Sequence, residues 1–459
     1  MVNIKVNNLE SKLETDNPDL IQALYELYTV KVPGSEYSPS YRTNRWDGKK
    51  RFFTKGGKFK TGLLGSILNN LAKLECVPKV EWGFDITKPI GDYLIKGIKL
   101  YPDQKDLVLR ALASPRAIIK APTGYGKTLI MASLVKSLET HKIVILTNAI
   151  SLIKQTCQFL EETCGMDDIG FCFGSNFKDG RVMLCTVQSI EKLYNSGDYI
   201  ENADVLMVDE VHEFSKGKTT LAVINGFANA IYRYGFTATP PTDPLARMEL
   251  EAAFGDILET TSLTDLFDEK RLTPPKIWMI DLPADCETDD HTEYRDLYVN
   301  NIVHNDVRNS AIRKIIEKIV EKNSLAKVLV LVKDLSHLEA LWPLISMHAD
   351  CYSLQGADDI DIRYKTITKF VQTNKPVVLI GTKILQTGIN IKEITHFINA
   401  RGLKSPIATI QALGRALRAS DNKEVVHVYD FLDKGKYLEA HSKKRLNTYK
   451  KEKLEIEII

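Results

Sequence analysis

A chain of 459 residues with 44% hydrophobic and 26% charged residues has the composition of a soluble globular protein of about three domains. No apolar run approaches the roughly 20 residues that cross a bilayer, and the start of the chain lacks the apolar core of a signal peptide, so we expect a cytoplasmic protein. Seven scattered cysteines without a paired C-x-x-C unit argue against zinc modules, and a net charge of +2 excludes no class of partner.

Residues 1–95 predict a small α+β module of alternating strands with one helix at Leu20–Tyr28. Its segment Arg42–Lys60 carries eight basic residues and one acid, Asp47. Basic side chains neutralise phosphates and aromatic rings stack on bases, so this segment predicts a nucleic-acid surface. The candidate contacts are Arg42, Arg45, Trp46, Lys49, Lys50 and Arg51.

A plainer interpretation of the same segment is a solvated face above a small core. For the basic residues we favour nucleic-acid binding, since eight phosphate contacts would give a slope of about −7 in a log–log plot of binding constant against salt concentration. For the aromatic residues we favour the core of the module, because a small domain has few other large apolar side chains. These residues are Tyr41, Trp46, Phe52, Phe53 and Phe59.

From residue 96 onward, short β-branched runs alternate with helical patterns, which predicts parallel sheets wound with helices. We expect a first αβ domain over residues 96–272, with strands at Arg116–Lys120, Lys142–Thr147, Val182–Thr186, Asp204–Asp209 and Tyr234–Thr237. A second over 273–459 has candidate strands at Lys327–Lys333, Asp350–Leu354, Pro376–Gly381, His396–Ala400 and Val425–Phe431. Cys286–Arg308 has no clear periodicity, and Lys434–Ile459 predicts a lysine-rich helix with a solvated face.

The segment Ala121–Thr128 reads Ala-Pro-Thr-Gly-Tyr-Gly-Lys-Thr between a predicted strand and a predicted buried helix. That context indicates a phosphate-binding loop, in which glycines allow close backbone approach and helix N-terminal amides face the anion. Lys127 would reach the outer phosphates and Thr128 would help to hold Mg²⁺. An ordinary glycine turn before a helix is the much weaker alternative, although Ala121 stands where the general pattern has its first glycine.

Two adjacent carboxylates end the apolar run Asp204–Val208. Asp209 fits the acid that holds nucleotide-bound Mg²⁺, usually through water, and Glu210 fits the group that orients or deprotonates the attacking water. His212 has two equal interpretations: a link between the nucleotide site and a neighbouring domain, or a satisfied polar residue.

Arg415 and Arg418 are three residues apart in Gln411–Arg418, so they share one helix face. Arginines that reach a transferring phosphoryl group stabilise its charge. The pattern is weak alone, but it becomes specific together with the loop and the paired acids.

The order and spacing of these motifs resemble superfamily 2 helicases and translocases over roughly residues 100–432. The resemblance implies two tandem RecA-like domains after the front module, with ATP and Mg²⁺ as cofactors. It adds Gln104 as the adenine reader, and it implies that Thr237 and Thr239 couple hydrolysis to domain movement together with His212. The implied nucleotide contacts are Gln104, Pro122, Thr123, Gly124, Tyr125, Gly126, Lys127, Thr128, Gly388 and Gln411.

The same resemblance implies nucleic-acid contacts in both αβ domains. They are Asn148, Thr186 and Ser189 in the first, and Lys333, Gln355, Gly356 and Thr382 in the second. Asn390 departs from the family, which often has aspartate there, so a role that depends on charge is in doubt at that position.

Asp209-Glu-Val-His212 differs from the motif of the DEAD-box RNA helicases. The compact core and the front module, with Tyr41–Gly48 followed by Gly62–Gly65, are most similar to the UvsW-type helicases of tailed phages. The resemblance implies a monomeric, ATP-driven DNA helicase or branch-migration motor in the host cytoplasm, acting on forked, branched or partly single-stranded DNA together with phage recombination or replication proteins. The alternatives are a duplex translocase that does not separate strands and an RNA helicase. A scaffold with a dead ATPase is disfavoured because the motif residues are present.

Overall fold

The computed structural model describes residues 2–86, 92–190, 200, 202–216, 218–283, 293–382, 391–405, 409–410, 413–414, 416–420 and 423–459. The chain divides into two units, residues 1–121 with 126–260 and residues 122–125 with 261–459. None of the described helices has the length and apolar character that crossing a membrane requires.

The front of the first unit is a small α+β module. Its described four-stranded sheet has the order Lys58–Lys60, Glu10–Thr15, Val2–Val6 and Lys79–Trp82, and a separate pair joins Thr29–Lys31 to Lys49–Arg51. The sequence predicted one helix here, but the described residues of the module contain three, at Pro18–Leu27, Pro39–Arg42 and Leu64–Lys73. Of the two additional helices, Pro39–Arg42 has only 4 residues, and Leu64–Lys73 directly follows a 3₁₀ turn. Hydrophobic periodicity detects such helices poorly.

The prediction that all the aromatic residues of the module lie in its core is partly wrong. Phe52, Phe53 and Phe59 are buried, and the rings of Phe53 and Phe59 stack 5.9 Å apart. Tyr41 is 37% exposed because it lies on a short surface helix rather than on the sheet. Trp46 is half-buried, and its indole N–H donates to the carbonyl of Lys49 at 2.9 Å.

The rest of the first unit is an αβ layer whose described sheet has eight strands. All neighbouring strands are parallel except the pair at one edge, and the order is Asn176–Lys178, Ile169–Phe173, Val182–Thr186, Ile143–Thr147, Val205–Val208, Tyr232–Thr237, Arg116–Lys120 and Ile257–Glu259. Its helices are Pro102–Leu112, Lys127–Ser137, Ile150–Gln158, Lys218–Gly226 and Pro244–Phe254. All five predicted strands are confirmed, three of them with shifted ends.

The second unit has a described sheet of seven parallel strands. Their order is Asp350–Leu354, Val377–Gly381, Lys327–Leu331, His396–Asn399, Val426–Leu432, Pro275–Asp281 and Glu455–Ile458. The helices are Leu263–Asp268, Tyr294–Tyr298, Asp306–Lys322, Leu335–Ser346, Ile360–Gln372 and Leu438–Lys451. The α/β class and its paired parallel sheets are confirmed.

The prediction for the C-terminal segment is correct for the helix and wrong for its surroundings. Leu438, Ser442, Arg445 and Tyr449 recur at helical spacing and are buried, so one face packs on the sheet instead of facing solvent. The last residues form the strand Glu455–Ile458, whose four residues are too few and too exposed to stand out from the helical pattern before them.

Candidate functional site

The predicted phosphate loop lies between the strand Arg116–Lys120 and the helix Lys127–Ser137. Gly124 and Gly126 have φ of 86° and 102°, a left-handed conformation that strains residues with a Cβ. Gly126 begins the helix, since its carbonyl accepts the amides of Leu129 and Ile130 at 2.9 and 3.0 Å. The helix is buried on most sides, which fixes its N-terminus for an anion.

Two predicted catalytic side chains contact each other directly. The Nζ of Lys127 lies 3.1 Å from Oε1 of Glu210, and the two side chains are 14% and 22% exposed. Glu210 has a φ of 50°, rare for a residue other than glycine, and its amide donates to Oδ1 of Asp209 at 3.0 Å. A backbone conformation of this kind costs energy, so it persists only where the surrounding structure enforces it, often at functional sites. Lys127, Asp209 and Glu210 therefore converge at one end of the sheet.

His212 joins the paired acids to the strand that ends at Thr237. His212 is buried, and its Nδ1 lies 2.9 Å from Oγ1 of Thr237 and 3.4 Å from Oε2 of Glu210. The Thr237 hydroxyl also accepts the amide of Thr239 at 3.0 Å, and the Thr237 carbonyl accepts the amide of Ala121 at 2.9 Å. His212 and Thr239 thus share the hydroxyl of Thr237, whose carbonyl bonds the first residue of the phosphate loop, and His212 also lies beside Glu210.

The predicted adenine reader lies beside the same loop. Gln104 is buried, and its Oε1 accepts the amide of Tyr101 at 3.0 Å. A Cβ at Gly126 would lie 2.9 Å from the Nε2 of Gln104, so the amide group is adjacent to the end of the loop. The amide of Tyr125 donates to the carbonyl of Pro122 at 3.2 Å, which closes the turn in which Thr123 lies.

The described residues fit a magnesium ion that is held mostly by nucleotide and water. No group of three or more His, Cys, Asp or Glu side chains with metal-ligand geometry occurs among them. Such a cage is not needed, because Mg²⁺ in phosphate-loop enzymes takes a hydroxyl, one acid and phosphate oxygens. Thr128 is exposed in the first turn of its helix, and Asp209 directly follows the strand Val205–Val208.

Of the predicted arginines, the structure describes only Arg418. This residue pairs with Leu272 in an isolated β-bridge, and burial lowers the pKa of its guanidinium. Its Nε has no hydrogen-bond partner in the described part of the chain. Gly388, Gln411 and Arg415 lie outside the described residues.

The predicted nucleic-acid contacts of the first αβ layer are engaged with neighbouring side chains. The hydroxyls of Thr186 and Ser189 lie 2.9 Å apart and both residues are buried. The side-chain amide of Asn148 donates to Glu213, a partner that sequence reasoning missed although it lies one residue beyond the Asp-Glu-Val-His motif.

In the second unit, four predicted contacts follow the carboxyl ends of three adjacent parallel strands. Thr382 and Gln355 come directly after Val377–Gly381 and Asp350–Leu354, and Gly356 is exposed. The Nζ of Lys333 lies 4.0 Å from the ring centre of Tyr298. The topology therefore aligns Lys333, Gln355, Gly356 and Thr382 along one edge of the sheet.

The basic segment of the front module separates into paired and unpaired cations. Lys50 forms an ion pair with Glu249, and Arg51 forms one with Asp47 that lowers the pKa of this carboxyl to about 2. Arg42, Arg45 and Lys49 are exposed, and none of the ion pairs between described residues includes them. Three of the five cations among the predicted contacts are thus without an ion pair to a described residue, as are Lys55 and Lys60 of the same segment, whereas Lys58 pairs with Glu10.

Comparisons with known proteins match two families, one in each half of the chain. The family described as "Type III restriction enzyme, res subunit" matches residues 97–242, and "Helicase conserved C-terminal domain" matches residues 309–420. The chain is 25% identical to the ATP-dependent DNA helicase uvsW of Enterobacteria phage T4, over 92% of this chain and 89% of the relative. It is 24% identical to a putative helicase of Sulfolobus islandicus filamentous virus, over 94% of this chain and 80% of that protein.

Among solved structures, a fragment of a putative HsdR subunit of a type I restriction enzyme from Vibrio vulnificus has the same fold. It aligns with a TM-score of 0.62 at 17% identity, over 90% of this chain and 76% of the fragment.

Proposed function

Because the chain belongs to the superfamily 2 helicases and is an ATP-hydrolysing helicase, we propose that it is a DNA helicase or branch-migration motor for forked or branched DNA. The observation that carries the motor part of the proposal is the contact chain from Lys127 through Glu210 and His212 to Thr237. These contacts join the predicted phosphate-binding lysine, the predicted base and a predicted coupling residue within one unit.

The proposed chemistry divides among the residues of the first unit. Gln104 reads the adenine, the loop residues Pro122–Thr128 bind the phosphates, and Glu210 orients the attacking water and accepts its proton. Thr128 and Asp209 hold Mg²⁺, which supplies charge neutralisation at the phosphate oxygens when bound. Before nucleotide binds, Lys127 is paired with Glu210, so phosphate binding would release the carboxylate for the water.

The remaining assignments belong to the same proposal. Arg415 and Arg418 stabilise charge on the transferring phosphoryl group, and Gly388 and Gln411 contact the nucleotide. Residues 1–95 form a DNA-binding module before RecA-like domains at 96–272 and 273–459. The motor works as a monomer in the cytoplasm of a phage-infected host, alongside recombination or replication proteins.

Branched DNA is favoured over other substrates by two features. The relative with 25% identity over most of both chains is described as a DNA helicase. The front module also presents Arg42, Arg45 and Lys49 as exposed cations without an ion pair to a described residue, in addition to the predicted strand contacts of the first αβ layer. A second group of phosphate contacts suits a substrate with more than one DNA arm.

ATP hydrolysis in the presence of single-stranded, duplex, forked and four-way-junction DNA, and of matched RNA, tests this proposal. We expect the greatest stimulation by forked or four-way DNA and little by RNA. Greater stimulation by RNA would favour an RNA helicase. Stimulation by duplex without strand displacement would favour a translocase.

A further inference from the structure

One face of the sheet in the second unit carries a row of aromatic side chains. The parallel register places Lys276 beside His427 and Trp278 beside Tyr429, and His396 lies beside His427 on the next strand. Along these strands, Trp278, His427 and Tyr429 are half-buried, whereas the residues between them are fully buried on the opposite face. An aromatic row of Trp278, His427 and Tyr429 thus remains accessible from this face of the sheet.

The rings are already arranged as a stack. The rings of Trp278 and Tyr429 are 6.5 Å apart and 15° from parallel, and those of His396 and His427 are 5.1 Å apart and 23° from parallel. Burial lowers the pKa of His396 to about 4, and burial with the nearby Lys276 lowers that of His427. Both imidazoles are therefore uncharged at neutral pH and pack as aromatic rings.

A cavity of about 910 Å³ opens above this row. Lys318 and Lys322 line it one helical turn apart near the end of the helix Asp306–Lys322, and both are exposed. Neither takes part in an ion pair with another described residue. Glu424 is the one acid among the described residues that line the cavity, and Glu455 and Glu457 both pair with Lys276. The cavity wall thus has excess positive charge on the helix side.

The cavity lies at the opposite edge of the sheet from the predicted strand contacts of the same unit. Thr395 and Val425, which line it, immediately precede the strands His396–Asn399 and Val426–Leu432. Gln355 and Thr382 instead follow the carboxyl ends of parallel strands. The aromatic row is therefore a separate surface.

We propose that this aromatic row binds the unpaired bases of a nucleic-acid strand, while Lys318 and Lys322 bind its phosphates. Half-exposed aromatic rings on a sheet surface offer stacking faces to any base, and lysines at one side neutralise the phosphates between bases. A purely structural row would be covered by the helix that packs over the rest of this face, but the cavity keeps Trp278 and His427 accessible. The inference rests on the proposed function for its ligand class, although binding here requires no ATP hydrolysis.

The test measures binding of a fluorescent oligothymidine to the whole protein without nucleotide. Trp278→Ala should weaken the affinity about tenfold, as expected for loss of one base–aromatic stack, whereas Trp278→Phe should retain most of it. Lys318→Ala with Lys322→Ala should weaken binding and lower its salt dependence. Lys314→Ala, an exposed lysine on the same helix that does not line the cavity, should leave both unchanged.

Cross-linking with an oligonucleotide that carries 5-iododeoxyuridine locates the contact, and we expect adducts on Trp278 or Tyr429. Unchanged affinity in Trp278→Ala together with adducts confined to other residues would overturn the proposal. It would also be overturned if Trp278→Ala changed only the self-association of the protein, which would indicate a protein interface. DNA-stimulated ATP hydrolysis separates this inference from the proposed function. If DNA still stimulates ATP hydrolysis but no adducts form on the aromatic row, only the aromatic site is contradicted. If the adducts form but DNA does not stimulate ATP hydrolysis, only the proposed motor function is contradicted.

Discussion

At the scale of single residues, the proposed ATP hydrolysis depends most on the contact between Lys127 and Glu210. A lysine and a glutamate 3.1 Å apart, each mostly shielded from solvent, stabilise each other until a stronger anion or cation competes. The left-handed backbone of Glu210 directs this carboxylate back toward the loop. The motif predicted which residues meet, but a φ of 50° at a glutamate follows from the surrounding fold and from no local propensity.

Glu210→Gln should abolish most ATP hydrolysis while nucleotide binding remains. The amide keeps the size of the side chain but cannot accept a proton, and loss of a general base costs about 10²–10⁴ in rate. Steady-state ATP hydrolysis and binding of a fluorescent ATP analogue measure the two properties. Glu161→Gln, at an exposed carboxylate paired with Lys178, is the matched control and should hydrolyse ATP normally. Normal turnover by Glu210→Gln would contradict the assigned role.

Thr237→Val should reduce strand separation more than ATP hydrolysis. Valine keeps the shape of threonine but leaves His212 and the Thr239 amide without their shared hydroxyl, at a cost of about 1–3 kcal/mol in stability. ATP hydrolysis and unwinding of forked DNA, measured on the same preparation, give the ratio. A parallel loss of both activities would argue against a coupling role for this hydroxyl.

At the scale of elements, the sequence predicted strands where burial on both faces leaves continuous apolar runs. Arg116–Lys120 and Val182–Thr186 are strands of this kind and have the bounds that the sequence predicts. The bounds of Asp350–Leu354 were also predicted, although this strand lies at a sheet edge and is only partly buried. Ile257–Glu259 and Glu455–Ile458 were missed because they are short edge strands that depend on their neighbours for pairing. Hydrophobic pattern alone cannot identify such strands.

A buried ion network holds the C-terminal helix on the second sheet. Arg445 is fully buried and binds Asp430 and Asp433, and Arg308 binds Asp433 at 2.8 Å. This network could not be predicted from the sequence, because a lysine-rich helix predicts a solvated face and the partner acids lie outside the helix.

Arg445→Ala should lower the free energy of unfolding by about 3–5 kcal/mol, because it leaves the buried Asp430 without its ion-pair partner and Asp433 with Arg308 alone. Urea denaturation followed by circular dichroism measures the change. Lys443→Ala, which removes an exposed cation paired with Glu439 on the same helix, should change stability by less than about 1 kcal/mol. Similar stability of both variants would contradict the importance of the buried network.

The stacked histidines predict a pH dependence of stability. The pKa of His396 falls from 6.5 to about 4 on folding, so the unfolded chain binds more protons between these values. Stability should therefore fall as pH is lowered from about 7 toward 4. His396→Phe keeps the stack without the titrating group, so its loss of stability between pH 7 and pH 5 should be smaller by about 1–2 kcal/mol. Equal losses in urea titrations of both proteins would show that His396 does not contribute.

At the scale of the whole molecule, the front module packs against the αβ layer of the first unit. The guanidinium of Arg116 bonds Asn8, and a Cβ at Gly62 would collide with the backbone of Ala252. Removing residues 1–95 would expose Ala252 and its neighbours, so substitutions on the surface are a cleaner test of DNA binding than deletion.

Replacing Arg42, Arg45 and Lys49 by alanine should weaken binding to four-way junctions and lower the log–log salt slope by about 2.7, if each contacts one phosphate. Fluorescence anisotropy over a range of salt concentrations measures both. Basal ATP hydrolysis should remain normal because these residues are exposed on the module. Three alanines at Lys136, Lys178 and Lys443, exposed lysines elsewhere, form the control. An unchanged slope in the first variant would remove the module from the proposed DNA surface.

ATP-driven strand displacement on a labelled four-way DNA junction, measured for the wild-type protein and for Lys127→Ala, is the most direct test of the proposed motor. We expect the wild type to resolve the junction into duplex arms only with ATP and Mg²⁺, and Lys127→Ala to bind the junction but leave it intact. Equal displacement by both proteins, or ATP hydrolysis by the wild type without any displacement, would contradict the proposed motor function.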